Sequence, residues 1–169
     1  MALAQLSGVT NDEIKAGMAS FQGIERRFDF KIKTDKVVYL SDYAHHPEEI
    51  KQSILSVRAL YQDKKLTAVF QPHLYTRTRD FYQEFADSLS LLDEVILTDI
   101  YPARELPIEG VSSQLIYDHL SPNVEKTLCK KEEVLELLKN KNIEVLITLG
   151  AGDIENYASQ ICEILNQQC

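Results

Sequence analysis

The sequence predicts an α/β fold: a mostly parallel sheet of about six strands, with helices on both faces and one antiparallel edge strand. Three observations lead there. From Val37 onward, short apolar runs alternate with amphipathic segments, the pattern of parallel strands joined by right-handed helical crossovers. Ahead of them, Arg26–Leu40 holds two apolar runs broken by the polar stretch Lys33–Lys36, the pattern of a hairpin. Finally, three polar clusters each follow a strand-like run and lead into a helix: SDYAHHPEEI (Ser41–Ile50), QPHLYTRT (Gln71–Thr78) and GAGDI (Gly150–Ile154). In such folds, loops at the carboxyl ends of the strands gather into the ligand site.

Each element has its own signal. Thr10 followed by Glu13 forms a capping box for a short helix ending near Gly23. Phe28, Phe30 and Ile32 alternate along the first hairpin strand, and Val37–Leu40 reads as the second, more buried one. Pro47 suits the first turn of a helix with His46 at its N-cap, and Ile50, Ile54, Val57 and Tyr61 recur at helical spacing. Leu66–Phe70 is an apolar strand, followed by a helix whose inner face carries Phe81, Phe85, Leu89 and Leu92. Val95–Ile100 is the next strand. A Pro- and Gly-containing loop then leads to a helix around Ser113–Leu120, and Val124–Leu128 reads as an edge strand. Val134, Leu137 and Leu138 mark another helix, Val145–Leu149 a buried strand, and Tyr157, Ile161, Ile164 and Leu165 the last helix. Together these make a Rossmann-like sheet. A boundary is expected near Gln22, separating residues 1–22 from the sheet domain at 23–169.

The 169 residues suffice for one domain with a substantial core, and 44% hydrophobic with 26% charged residues is ordinary for a globular protein. A net charge of −8 argues against a dedicated nucleic-acid binder while leaving room for a local basic pocket from positions 26, 27, 77, 79 and 104. No apolar run reaches the roughly 18 residues of a membrane span, so no membrane partner is expected. The opening MALAQLSGV reads as the tail of an apolar helix, which makes Met1 look like an artificial start inside a longer protein. Cys129, Cys162 and Cys169 lack CxxC or zinc spacing and fit a reducing cytoplasm.

The clusters supply carboxylate, imidazole, guanidinium and free backbone N–H groups, a mix suited to anionic substrates and phosphates. Asp42, Tyr43, His45 and His46 lie just past a strand end; taken singly, each is equally well a turn cap or a satisfied loop residue. Arg77 falls on a turn, where it can grip a carboxylate with two charge-assisted bonds, whereas Arg79 has Asp80 or Glu84 for a surface partner. Gly150, Gly152 and Asp153 allow either close approach of an anion to a helix start or simply a tight turn, since Glu155 interrupts any GxGxxG pattern. There is no GxxxxGK[ST], GxSxG or HExxH. Asp42, His45, His46 and His73 carry atoms that a divalent metal accepts, which leaves a metal-dependent hydrolase as a competing reading. No two of the histidines show i, i+4 spacing, so no protein-only metal site is expected. A non-catalytic nucleotide- or amino-acid-binding module is a third possibility.

SDYAHHPEEI, VFQPHLYTRT, DIYPARELPIEGV (Asp99–Val111) and ITLGAGDI, with FQGIERRF (Phe21–Phe28) as the entry, resemble the C-terminal domain of the UDP-N-acetylmuramate–L-alanine ligase family of Mur ligases. The resemblance runs from about Gly17 to the C-terminus. A relative that ligates a tripeptide to the same nucleotide sugar is the main confounder.

The resemblance implies a cytoplasmic, three-domain enzyme of peptidoglycan synthesis, in which this chain is the third domain and residues 1–22 end the central, P-loop-bearing one. The family's reaction is ATP-dependent: the lactyl carboxylate of UDP-N-acetylmuramate becomes an acyl phosphate, and the amine of L-alanine displaces phosphate. ATP and Mg²⁺ belong to the full-length enzyme, and the fragment alone is expected to bind neither and to be inactive. By resemblance, Arg27 and Asp42 serve ATP, while Tyr43, His45, His73 and Arg77 form the alanine pocket with Arg77 on the carboxylate. His45 is the candidate proton acceptor. Many family members have arginine where this chain has Leu74, so either Arg77 holds the carboxylate alone or Arg104 compensates.

Overall fold

The computed structural model describes residues 2–21 and 23–167. The expected boundary at Gln22, and Met1 and Cys169, lie outside the described residues. A six-stranded sheet runs in the order β1-β2-β6-β3-β4-β5. Its strands are β1 (Asp29–Lys33), β2 (Val38–Asp42), β3 (Leu66–Phe70), β4 (Glu94–Leu97), β5 (Glu125–Leu128) and β6 (Val145–Leu149). β1 pairs antiparallel with β2, and every other pairing is parallel. The central strands β3 and β6 are buried along their whole length, as both faces are covered. The two edges carry charge instead, Lys31 and Lys33 on β1 and Glu125 and Lys126 on β5, which discourages pairing with other chains.

Seven α-helices accompany the sheet among the described residues: α1 (Ala2–Leu6), α2 (Asn11–Ser20), α3 (Pro47–Leu60), α4 (Tyr75–Leu89), α5 (Gln114–His119), α6 (Val134–Lys139) and α7 (Ala158–Asn166). Alternation along the strands sorts side chains between two cores. Leu40, Phe70 and Leu97 pack with Ile54 of α3, Phe85 of α4 and Ile116 of α5 on one face. Tyr39, Val69 and Ile96 pack with Leu138 of α6 and Ile161 of α7 on the other. Full burial of each such aliphatic or aromatic side chain contributes roughly 1.5–3 kcal/mol. By contrast α1 and α2 bury none of their described residues; α2 is held by the Thr10–Glu13 capping box.

Three expectations shift. The first hairpin strand begins at Asp29, not Arg26, because Arg26 (φ 60°) and Phe28 (φ 50°) adopt left-handed conformations that no strand accommodates. β4 ends at Leu97, since the chain bends out of the sheet so that Tyr101 can bridge to His73. Phe81 packs half-buried against the core as expected but at a non-helical kink in α4 (φ −129°, ψ 18°), and Leu92 lies beyond the helix end at Leu89. No helix among the described residues is long and apolar enough to cross a membrane.

The sheet order positions a site. The loops after β2 and β3 turn to the face carrying α3 and α4, whereas the loop after the intervening β6 turns to the face carrying α7. Neighbouring loops therefore diverge at the carboxyl ends of β2, β6 and β3, opening the crevice in which α/β folds bind ligands.

Candidate active site

Main-chain hydrogen bonds continue past the strand ends and fix the rim. Gly150 N–H donates to Asp42 O (3.3 Å) and Gln71 N–H to Leu149 O (3.1 Å). Tyr43 N–H donates to Arg26 O (2.6 Å), which ties the turn before β1 to the end of β2. Tyr101 N–H donates to Pro72 O (2.8 Å) and Leu74 N–H to Tyr101 O (2.9 Å), which clamps the loop after β4 against the start of α4.

On this rim Tyr43, His45, His73 and Arg77 stand in a row. Ring centroids are 5.2 Å apart for Tyr43 and His45, and 5.9 Å for His45 and His73, both edge-on. Arg77 Nη1 donates to His73 Nδ1 at 3.3 Å. Tyr101 stacks behind His73, centroids 5.6 Å apart and planes 24° apart. Among the described residues no carboxylate pairs with Arg77, while Arg79 pairs with Asp80 at 2.7 Å, as its spacing predicted.

The hydrogen bonds assign the two imidazoles opposite roles. His45 Nδ1 lies 3.0 Å from Tyr43 O, and a carbonyl only accepts, so Nδ1 carries the proton. Its Nε2 then presents a lone pair whenever the ring is neutral. His73 Nδ1 faces a guanidinium, which only donates, so its proton sits on Nε2. Burial, reinforced by the Arg77 guanidinium and by His45, holds His73 below its ordinary value of 6.5 and keeps it neutral. Glu49, in the first turn of α3, accepts the N–H groups of His45 (3.1 Å) and His46 (3.2 Å) and so anchors this loop.

Arg27 and Asp42 line an adjacent groove of about 260 Å³ together with Ser53 and Ser56. The Asp42 carboxylate accepts the Ser53 hydroxyl and the Ala44 N–H. Tyr43, at one end of the row, contacts the groove residue Arg27 and its neighbour Arg26, whose guanidinium carbons lie 5.4 and 4.7 Å from its ring centroid.

Three sequence readings resolve differently here. His46 does not join the row; it packs edge-on against Phe81 (5.1 Å) and lines a separate cavity of about 430 Å³ between α3 and α4. Accordingly, among the described residues no three His, Cys, Asp or Glu side chains gather as metal ligands would, and the hydrolase reading loses its site. The Gly150–Asp153 loop is a tight structural turn, not an open anion cradle. Gln71 fills it, donating to Asp153 Oδ1 (2.8 Å) and accepting the Ile154 N–H (3.0 Å), and Cβ atoms at Gly150 or Gly152 would collide with Gln71 or Tyr101. Lastly, Arg104 is exposed on the loop after β4. Burial raises the Cys129 thiol to about 11 and also raises Cys162, so neither is a poised nucleophile.

Sequence reasoning named Arg26 only as part of a possible basic pocket, without its bond to Gly152 O (3.3 Å), and did not single out Tyr101 and Gln71, which back the row. The signals for Tyr101 were its position shortly after an apolar strand and its place in the stretch DIYPARELPIEGV.

A family profile described as "Mur ligase, glutamate ligase domain" matches residues 26–154. The chain belongs to the Mur ligase family. This Mur ligase domain is 77% and 57% identical, over 99% of its length, to the UDP-N-acetylmuramate–L-alanine ligases of Phocaeicola vulgatus and Parabacteroides distasonis. It spans 37% and 36% of those relatives' own lengths. The solved UDP-N-acetylmuramate-alanine ligase of Thermotoga maritima superposes with a TM-score of 0.80 at 25% identity, covering 99% of this chain and 36% of that one. A murein peptide ligase of Psychrobacter arcticus shares the fold at a TM-score of 0.68 and 18% identity, over 97% and 35% of the two chains.

Proposed function

We infer that this domain presents L-alanine to an acyl phosphate of UDP-N-acetylmuramate within an ATP-dependent ligase of peptidoglycan synthesis. The observation that carries the reading is the row Tyr43–His45–His73–Arg77 standing beside the Arg27–Asp42 groove at one sheet rim. In this reading residues 1–22 close the central domain. The exposed Leu3, Leu6 and Met18 on α1 and α2 support a partner surface there. A cytoplasmic location follows, since ATP and the nucleotide sugar are supplied there.

The row suits its task. Arg77 holds the alanine carboxylate, alone, because Leu74 replaces the second cation and Arg104 is exposed. Neutral His73 adds no positive charge to repel the substrate ammonium, and its Nε2–H is a donor. His45 Nε2 accepts a proton from the ammonium and frees the amine to attack the acyl phosphate; phosphate leaves with the electron pair of the broken C–O bond. Positioning of this kind supplies several kcal/mol of barrier lowering, up to about 7–11 in ideal cases. Asp42 and Arg27 suit the ribose and the phosphates of ATP. Mg²⁺ neutralises phosphate charge in such transfers.

The test is made in a full-length ligase carrying this domain. ATP-dependent ligation of L-alanine to UDP-N-acetylmuramate is expected there, with no turnover by the 169 residues alone. Arg77→Ala should raise the KM for L-alanine roughly ten- to hundredfold, the loss of a charge-assisted pair. An unchanged KM removes Arg77 from the pocket, and acceptance of a tripeptide in place of alanine replaces the substrate assignment.

A further inference from the structure

Helix α4 carries Arg77 in its first turn, yet nothing local starts that helix well. The N-cap residue is Leu74, which has no oxygen to offer the unpaired N–H groups and is held at φ 72°, a conformation that costs a branched side chain. The first turn contains no acidic residue to balance the helix dipole. Both needs are met from elsewhere in the chain. Glu105, on the loop after β4, accepts the Thr76 N–H (3.0 Å) with one carboxylate oxygen and the Thr76 hydroxyl (2.5 Å) with the other. The same two hydrogen bonds, hydroxyl first, hold Glu105 below the ordinary carboxylate range, so it stays ionised.

This loop touches the site twice. Four residues before Glu105, Tyr101 stacks on His73 and exchanges main-chain hydrogen bonds with Pro72 and Leu74. Glu105 then grips the residue next to Arg77. We propose that Glu105 is a positioning residue for amino-acid binding: it caps α4 across the loop and fixes the direction in which Arg77, and through it His73, faces the substrate. The inference rests on the alanine-pocket reading above. A misplacement of about 1 Å at a carboxylate clamp suffices to lose much of its effect.

Kinetics of the full-length ligase test it. Glu105→Ala should raise the KM for L-alanine about tenfold, with the KM values for ATP and UDP-N-acetylmuramate within about twofold of the parent, as expected for loss of a cap at one end of one helix. Glu105→Gln, which keeps an acceptor oxygen for Thr76, should recover most of that loss. Thr76→Val removes only the hydroxyl and should raise the alanine KM about threefold, without adding further to Glu105→Ala in the double variant. If Glu105→Ala fails to fold, Thr76→Val decides. Unchanged alanine KM in Glu105→Ala or, in its place, in Thr76→Val, or parallel shifts in all three substrates, overturns the proposal while Arg77→Ala still raises the alanine KM. If Arg77→Ala is itself silent, the pocket reading fails first and the proposal falls with it.

Discussion

Gly152→Ala is the substitution whose cost the structure sets most directly. Gly152 has an ordinary backbone (φ −85°, ψ −150°), so conformational strain plays no part. The difficulty is space: an added Cβ would lie on top of Gln71 Oε1 and 2.8 Å from both Cβ and Cγ of Tyr101. The amide of Gln71 is not free to swing away, because it bridges Asp153 and the N–H of Ile154, a residue only 2% exposed. Displacing it strips the acceptor from a buried N–H, at about 1–3 kcal/mol. Pushing the Tyr101 ring aside is overpacking, at about 1–3 kcal/mol more. The sum is about 2–6 kcal/mol, or a fall in melting temperature of about 5–20 °C for a domain of this size. Urea and thermal unfolding followed by circular dichroism give both numbers. Gly17→Ala, on exposed α2 with nothing within 4 Å of its added Cβ, is the control: it should not destabilise, and the better helix propensity of Ala adds at most about 1 kcal/mol. A Gly152→Ala protein within 1 kcal/mol of the parent (about 0.7 in log K) would refute the steric account.

The remaining expectations concern charge. His73 is held below 6.5, so the unfolded chain takes up its proton more readily than the folded one. Stability should therefore rise with pH from that lowered value to about 6.5 and then level off with respect to this group, and His73→Gln should flatten the rise. An NMR titration placing His73 at or above 6.5 would contradict the assignment. Glu94 is 1% exposed and pairs with Lys65 (2.8 Å) and Lys141 while accepting the Thr67 hydroxyl (3.2 Å), at the opposite end of the sheet from the site. Glu94→Ala should cost about 1–3 kcal/mol in urea titrations: it removes a buried carboxylate from the network and strips the acceptor from the Thr67 hydroxyl, while Lys65 and Lys141 keep Glu125 as a partner (2.8 and 3.5 Å). A loss under about 0.5 kcal/mol would mean that Glu125 and water replace Glu94 fully.

Much of the site was legible because its residues sit in contiguous strings at strand ends. Tyr43 and His45 belong to one string, His73 and Arg77 to another, and the strand–helix alternation alone brings such strings to one rim. His46 shows the limit of that logic. It adjoins His45 in sequence, but the first turn of α3 points it at Phe81 and away from the row. Gly150 and Gly152 illustrate a second limit, since a glycine records that space is tight without saying what fills it, and here the occupants, Gln71 and Tyr101, come from the loops after β3 and β4.

From the order of residues alone came the strand–helix alternation, the hairpin edge, the two-faced core and the kinship with Mur ligases, because periodicity, turn residues and short motifs are local properties of the chain. Which imidazole donates and which accepts, why Arg77 is left without a carboxylate, and how a glutamate 29 residues away comes to cap α4 were decided only in three dimensions. Those facts depend on the lateral order of the strands and the course of one loop, and neither is written in any single stretch of sequence.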